Sequence, residues 1–159
     1  MKHKLERSAF LPWLGLALIF CFLAIDETAV IHERFTQPVR ETLGTDGLLH
    51  YAWVIPYGLA VLVIAILYLR FLFRLPKRFL ILFIVAGAIY VCGAIGFEML
   101  SGNHEVPYGR ENLLYCTYYT LEELFEMTGI VLFIYGLLSY ITEKFDGLSL
   151  NLKADKAET

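Results

Sequence analysis

Residues 79–100 read FLILFIVAGAIYVCGAIGFEML, an unbroken apolar run whose single charge is Glu98. At 1.5 Å per residue a helix from Phe79 to Glu98 rises about 28 Å, nearly the thickness of a bilayer's hydrocarbon core. The segment therefore reads as a membrane-spanning helix that carries an acid close to one end of its apolar length. Everything else in the chain is measured against that helix.

Working outward, the pattern recurs over about 9–33, 51–70 and 118–142, where long apolar stretches hold few charges. The fold class is all-α: a polytopic membrane protein of four helices in an antiparallel bundle, one domain over 1–147. A polar tail, 148–159, is expected to be mobile. The 159 residues are 58% hydrophobic and 18% charged, whereas soluble domains run about 45–50% apolar and about 25% charged. Such a balance excludes disorder and a disulfide-stapled secreted scaffold. Lys2, Lys4 and Arg7 precede the first span as they would a signal peptide, but Phe22-Leu23-Ala24-Ile25 offers no small-x-small cleavage site, so a retained helix is expected.

Charge orients the spans. Of 13 basic residues, all but Arg34, Arg40 and Arg110 fall in the N-terminal tail, the loop 70–78 or the C-terminal tail. The positive-inside rule makes that side cytoplasmic and both termini internal, in a bacterial inner membrane. The acids Asp26, Glu27, Glu33, Glu41, Asp46, Glu98, Glu105, Glu111, Glu122, Glu123 and Glu126 gather on the opposite, periplasmic side, with His32, His50 and His104. The modest net charge of −3 thus conceals a basic face set against an acidic one. Between Pro38 and the turn-like Gly44-Thr45-Asp46-Gly47, Val39 and Leu43 are spaced for a short interfacial helix. Ser101-Gly102-Asn103, Pro107 and Gly109 mark 101–117 as a loop, and Pro56 is expected to kink the second span.

Several acids intrude into the spans. Asp26, Glu98 and Glu126 lie about 24, 28 and 22 Å from the far ends of their helices, in one layer near the outer boundary. Glu122, Glu123 and Glu126 share one arc of about 100° on the fourth span, flanked by Tyr119 and Gly129. Gly87, Val91, Ala94 and Glu98 form one stripe on the third, and small residues mark faces where membrane helices meet. An unpaired carboxylate near lipid costs several kcal/mol, so such groups pair, protonate or hold a cation. No Lys or Arg stands in the outer half of any span to pair with them.

The sharp reading is a metal site drawn from Asp26, Glu27, His32, His50, Glu98, Glu122, Glu123 and Glu126, serving an oxidoreductase or hydrolase reaction. Ligation by Glu98, Glu123 and Glu126 would be completed by Asp26 or Glu27 and His32. Oxygen and imidazole donors suit manganese, iron or zinc. Carboxylate-rich four-helix interiors hold paired irons or manganeses, but the Glu-x-x-His pair of that class is absent. Haem on His32 and His50 is the weaker cofactor reading. Against these stands a bland alternative: wet interfacial acids, with Glu122 and Glu123 placed near a helix start where the dipole favours them. A small cation or proton transporter, and an accessory subunit bound to a membrane-protein partner or to its own copies, are the remaining classes.

Asp26-Glu27-x4-His32-Glu33, Tyr51-x4-Pro56, Gly96-x-Glu98-Met99 and Leu121-Glu122-Glu123-x-x-Glu126-Met127-x-Gly129 together resemble a widespread group of small four-span bacterial inner-membrane proteins of unassigned activity. The likeness covers roughly 9–141, implies the same four spans and singles out the same acids, and it transfers no reaction. Cys21, Cys92 and Cys116 form no C-x-x-C pair. Tyr51, Trp53, Tyr57, Tyr115, Tyr118 and Tyr119 read as an interfacial aromatic belt. No phosphate loop, nucleophile elbow or H-E-x-x-H occurs, and nothing supports nucleic-acid binding.

Overall fold

Each apolar run becomes helix. In the computed structural model, which describes residues 2–145, four helices are long and apolar enough to cross a membrane: Phe10–Ala29, Val54–Leu72, Lys77–Tyr108 and Leu113–Lys144. The elements are α1 (Lys2–Ala29), α2 (Thr36–Leu43), α3 (Val54–Leu72), α4 (Lys77–Val91), α5 (Glu98–Tyr108) and α6 (Leu113–Lys144). A π-helical turn, Cys92–Phe97, makes α4 and α5 one continuous rod. The expected tail, 148–159, lies outside the described residues.

Apolar side chains face outward, as lipid-solvated helices require. Leu18, Leu67 and Val131 are largely exposed, while the buried apolar set is short: Ala52, Trp53, Val54, Leu75, Phe79, Phe83 and Ala86. Lipid, which is as apolar as these side chains, gives no reason to hide them.

Helices instead meet where side chains are missing. A Cβ on Gly93 would lie 2.9 Å from the Glu122 carbonyl oxygen and 3.0 Å from the Glu126 backbone nitrogen. One on Gly129 would lie 2.8 Å from both the Ala86 carbonyl and the Tyr90 backbone nitrogen. Gly136 is similarly tight against Leu82 and Phe83. The buried face of α4 and the π-turn that continues it is thus Phe79, Phe83, Ala86 and Gly93. Of the stripe expected from sequence, Gly87 falls off the packed face and looks into open space, while Val91 and Ala94 line the cavity described below. Glu98 joins the packed side as expected. A π-turn at 92–97 intervenes, and beyond it the Glu98 side chain meets Trp53 and Glu122.

At the end of the helices bearing the 73–76 turn, aromatic rings interlock. Trp13 meets Phe71 edge-on with centroids 5.0 Å apart and lies 5.3 Å from Tyr140. Phe79 meets Tyr140 at 5.2 Å, and Phe133 lies between Phe20 (4.7 Å) and Phe83 (5.0 Å). On α1, Gly15 leaves room for the Tyr68 hydroxyl to donate to the Pro12 carbonyl at 2.9 Å. The cluster ties α1, α3, α4 and α6 together mainly through ring packing.

Two local expectations fail. The stretch 101–108 is helix, not loop, because its turn-forming residues are claimed by packing. Ser101 is buried and its hydroxyl donates to the Glu98 carbonyl at 2.9 Å. Gly102 admits the Tyr51 ring, which a Cβ would approach to 2.8 Å. Only Gly109, at φ 71°, and the residues to Asn112 turn the chain, and Asn112 caps α6 by accepting from the Tyr115 N–H at 2.9 Å. The second correction concerns Pro56, which sits in the first turn of α3, where a missing N–H costs nothing and no kink results. The short helix expected after Pro38 is present as α2, closed by Gly44 at φ 63°.

Gly129→Ala should push α6 off the α4 backbone and lower stability by about 1–3 kcal/mol, the usual cost of overpacking. Gly87→Ala, with open space around it, should leave the unfolding midpoint in detergent unchanged or slightly raised.

Candidate acidic cavity

Asp26 stands in the last turn of α1, where the backbone then reverses sharply. Val30 takes φ 51°, a left-handed conformation that is costly for a β-branched residue. The Ile31 N–H donates back to the Asp26 carbonyl at 3.2 Å, as in a Schellman closure with valine where glycine is usual. A single 3-10 turn, His32–Phe35, follows and returns His32 to the acid it has just passed.

Both oxygens of Asp26, which is only 4% exposed, are engaged. His32 Nδ1 lies 2.9 Å from Oδ2, and the Tyr57 hydroxyl donates to Oδ1 at 2.7 Å. Trp53 packs between the two, with ring centroids 4.7 Å from His32 and 5.2 Å from Tyr57. Its indole N–H donates to Glu98 Oε1 at 3.0 Å, and Glu98 in turn adjoins Glu122. A contiguous polar chain therefore runs from His32 through Asp26 to Tyr57, with a second from Trp53 through Glu98 to Glu122.

Beside this chain lies a cavity of about 120 Å³. Asp26, Glu27, His32, Glu122, Glu123 and Glu126 supply its ionisable wall, and Tyr57, Tyr90 and Tyr119 add hydroxyl groups. Asp26 is buried at the back, Glu122 and Glu126 are half-buried, and Glu27 and Glu123 are exposed at the rim. Tyr119 reaches Glu123 there. Because α6 begins at Leu113, Glu122 and Glu123 lie well beyond its first turn. The helix-start explanation for these two acids is lost, since the dipole's influence fades within a turn.

The residues singled out by sequence thus divide. Six of them line the cavity. Glu98 does not line it but stands behind Glu122. His50 takes no part: its carbonyl accepts from Arg40, its ring packs on Tyr51 at 5.3 Å, and its Nδ1 lies 3.6 Å from Asp46. Among the described residues, no group of three or more His, Cys, Asp or Glu side chains stands in metal-holding geometry. The acids and His32 therefore do not form a ready-made ligand set in this arrangement. Asp26 is occupied by His32 and Tyr57, Glu98 by Trp53, and the rim acids stand apart in the open.

A family model described as Domain of unknown function (DUF8692) matches residues 1–141. The chain belongs to the DUF8692 family. No curated protein and no solved structure matches it. The match takes in every residue of the cavity, and the family's description assigns no activity.

In this DUF8692 chain the residues that sequence reasoning missed are Trp53 and Tyr57, assigned there to an aromatic belt. The usable signal was their spacing: Trp53, Tyr57 and Val61 recur every four residues, which puts two hydrogen-bonding heads on one helical face opposite the acids. Outside the apolar layer a separate network closes the same end. Tyr51 donates to Glu105 and lies 3.2 Å from the Tyr115 hydroxyl, while Arg110 Nε donates to Glu105 at 2.7 Å. Burial, reinforced by the Glu105 carboxylate beside it, pushes the Tyr51 phenol well above its ordinary range, so it remains a donor throughout the physiological range.

Tyr57→Phe removes one donor to Asp26 and should cost about 1 kcal/mol. Asp26→Ala strands both Tyr57 and His32, and should cost about 1–3 kcal/mol for each partner left unsatisfied. Thermal unfolding in mild detergent, followed by Trp fluorescence, orders the two variants; equal losses would show that the Asp26 pairings carry no weight.

Proposed function

We propose that this chain is an integral protein of a bacterial inner membrane that captures a small cation in the acid-lined cavity, on the periplasmic side of an antiparallel four-helix bundle with both termini cytoplasmic. One observation carries the reading: the ionisable wall of the cavity is five carboxyl groups and one imidazole, with no Lys or Arg among its lining residues. In a layer where bare carboxylates cost several kcal/mol, a positive guest is what such a wall accommodates.

Size narrows the guest. About 120 Å³ is well below the roughly 300–1,000 Å³ of organic ligand sites, so an ion with a few waters fits better than a haem. Carboxylate and imidazole donors favour manganese, iron or zinc among metals. Since Asp26 and Glu98 are held by other partners, binding requires side chains to turn toward the ion. Capture is favoured over passage because the Trp13, Phe79, Phe83, Phe133 and Tyr140 cluster fills the opposite half of the helices.

A second reading has its own support. Glu27 and Glu123 are exposed on membrane-spanning helices, and an acid facing lipid calls for a neighbour. A partner membrane protein or a second copy covering that rim would make the cavity part of an accessory subunit.

Protein purified in mild detergent without chelator is analysed for metal and titrated with Mn²⁺ and Zn²⁺. Near-stoichiometric binding, weakened about tenfold or more in Glu122→Gln/Glu126→Gln by loss of two charged contacts, is the expected outcome. Substoichiometric metal together with titrations identical in the variant would remove the cation reading. Stable co-purification of one partner, lost in Glu27→Gln/Glu123→Gln, would put the accessory reading in its place.

A further inference from the structure

A second concavity, of about 610 Å³, lies at the opposite end of the protein, on the open side of the α4–α6 contact. Its polarity is graded along the helix axis. Arg78 and Glu143 stand at its mouth, 62% and 50% exposed and paired with each other. The Ser139 and Thr142 hydroxyls come next, and Leu82, Leu138 and Tyr135 line the deeper part. From Glu143 to Tyr135 is about 12 Å of helical rise, directed from the loop 70–78 end toward the middle of the apolar layer. Leu138 and Tyr135 are exposed on that face, so acyl chains lie alongside them by necessity.

What distinguishes this groove from ordinary lipid-facing surface is its pair of opposite charges at headgroup depth. We propose that it is a binding site for a zwitterionic aminophospholipid, phosphatidylethanolamine, with the phosphate on Arg78, the primary ammonium on Glu143 and one acyl chain along Leu82, Leu138 and Tyr135. The exchange balances. The ion pair that closes the mouth is replaced by two charge-assisted contacts of the same kind, so neither side chain loses its partner. A guanidinium suits phosphate oxygens bidentately. Ethanolamine carries N–H donors that a carboxylate can accept. Choline carries none, and a glycerol headgroup brings no cation and leaves Glu143 facing an extra anion.

Native mass spectrometry of the full chain in mild detergent, with phosphatidylethanolamine, phosphatidylcholine and phosphatidylglycerol added at equal concentration, tests the assignment. The ethanolamine lipid should be retained about tenfold better than either competitor, the scale of one charge-assisted hydrogen bond. Glu143→Gln should abolish its advantage over the choline lipid, and Arg78→Gln should weaken both. Arg74→Gln, exposed but outside the groove, should change neither. All three positions are exposed, so folding is not at stake. A wild-type preference for the glycerol lipid, equal retention of all three, or an ethanolamine advantage that survives Glu143→Gln would overturn the proposal.

Discussion

The backbone of α6 lies directly against that of α4, and the rest of the arrangement depends on that contact. In lipid no hydrophobic force drives helices together, so close van der Waals approach has to do so. Gly93 and Gly129 permit it by leaving no Cβ between the two backbones, and Gly136 makes room for the Leu82 and Phe83 side chains. The same contact decides what faces what. Gly93 sits against the Glu122 carbonyl and the Glu126 amide, so the acids of α6 are fixed beside the π-turn of the neighbouring rod. Beyond that turn Glu98 accepts from Trp53 and adjoins Glu122.

The two ends of the helices solve opposite problems. At one end, rings from four helices interlock around an apolar centre of Leu75, Phe79 and Phe83. At the other, a buried carboxylate has to be kept in an apolar layer, and it is kept by making each of its oxygens an acceptor. Tyr57 and His32 do this for Asp26, while Trp53 engages one oxygen of Glu98. The left-handed Val30 is the conformational cost of bringing His32 back so soon after α1 ends. Such local strain persists only where surrounding contacts over-determine it, and here those contacts are the Asp26 bonds and the Trp53 ring. The acids not held in this way, Glu122, Glu123, Glu126 and Glu27, are those that line the cavity without a basic partner.

Much of this was legible in the residues themselves, but at different depths. The runs through 79–100 and 118–142 announce helices because length and apolarity are properties of a segment and need no neighbour. The shared depth of Asp26, Glu98 and Glu126 followed from helical rise, and the common arc of Glu122, Glu123 and Glu126 from helical angle, which a regular helix fixes. Gly87 was misread because a small residue every seven or so positions marks two adjacent faces equally well, and only the partner helix selects one. Ser101-Gly102-Asn103 was misread because local turn preference of about 1 kcal/mol per residue yields to Tyr51 packing on Gly102 and to the burial of Ser101.

Sequence by itself therefore determined the solvent of this protein, its four spans and the concentration of acids at one end, since each is a sum over a single segment's composition and period. Tertiary structure alone decided that His50 stands apart, that Trp53 and Tyr57 are donors to acids, and that six of the singled-out residues share one cavity. Those facts depend on which helix lies against which and on one extra residue per turn at 92–97. Neither a backbone contact between distant segments nor a local change of helical pitch has a periodicity that the residues display.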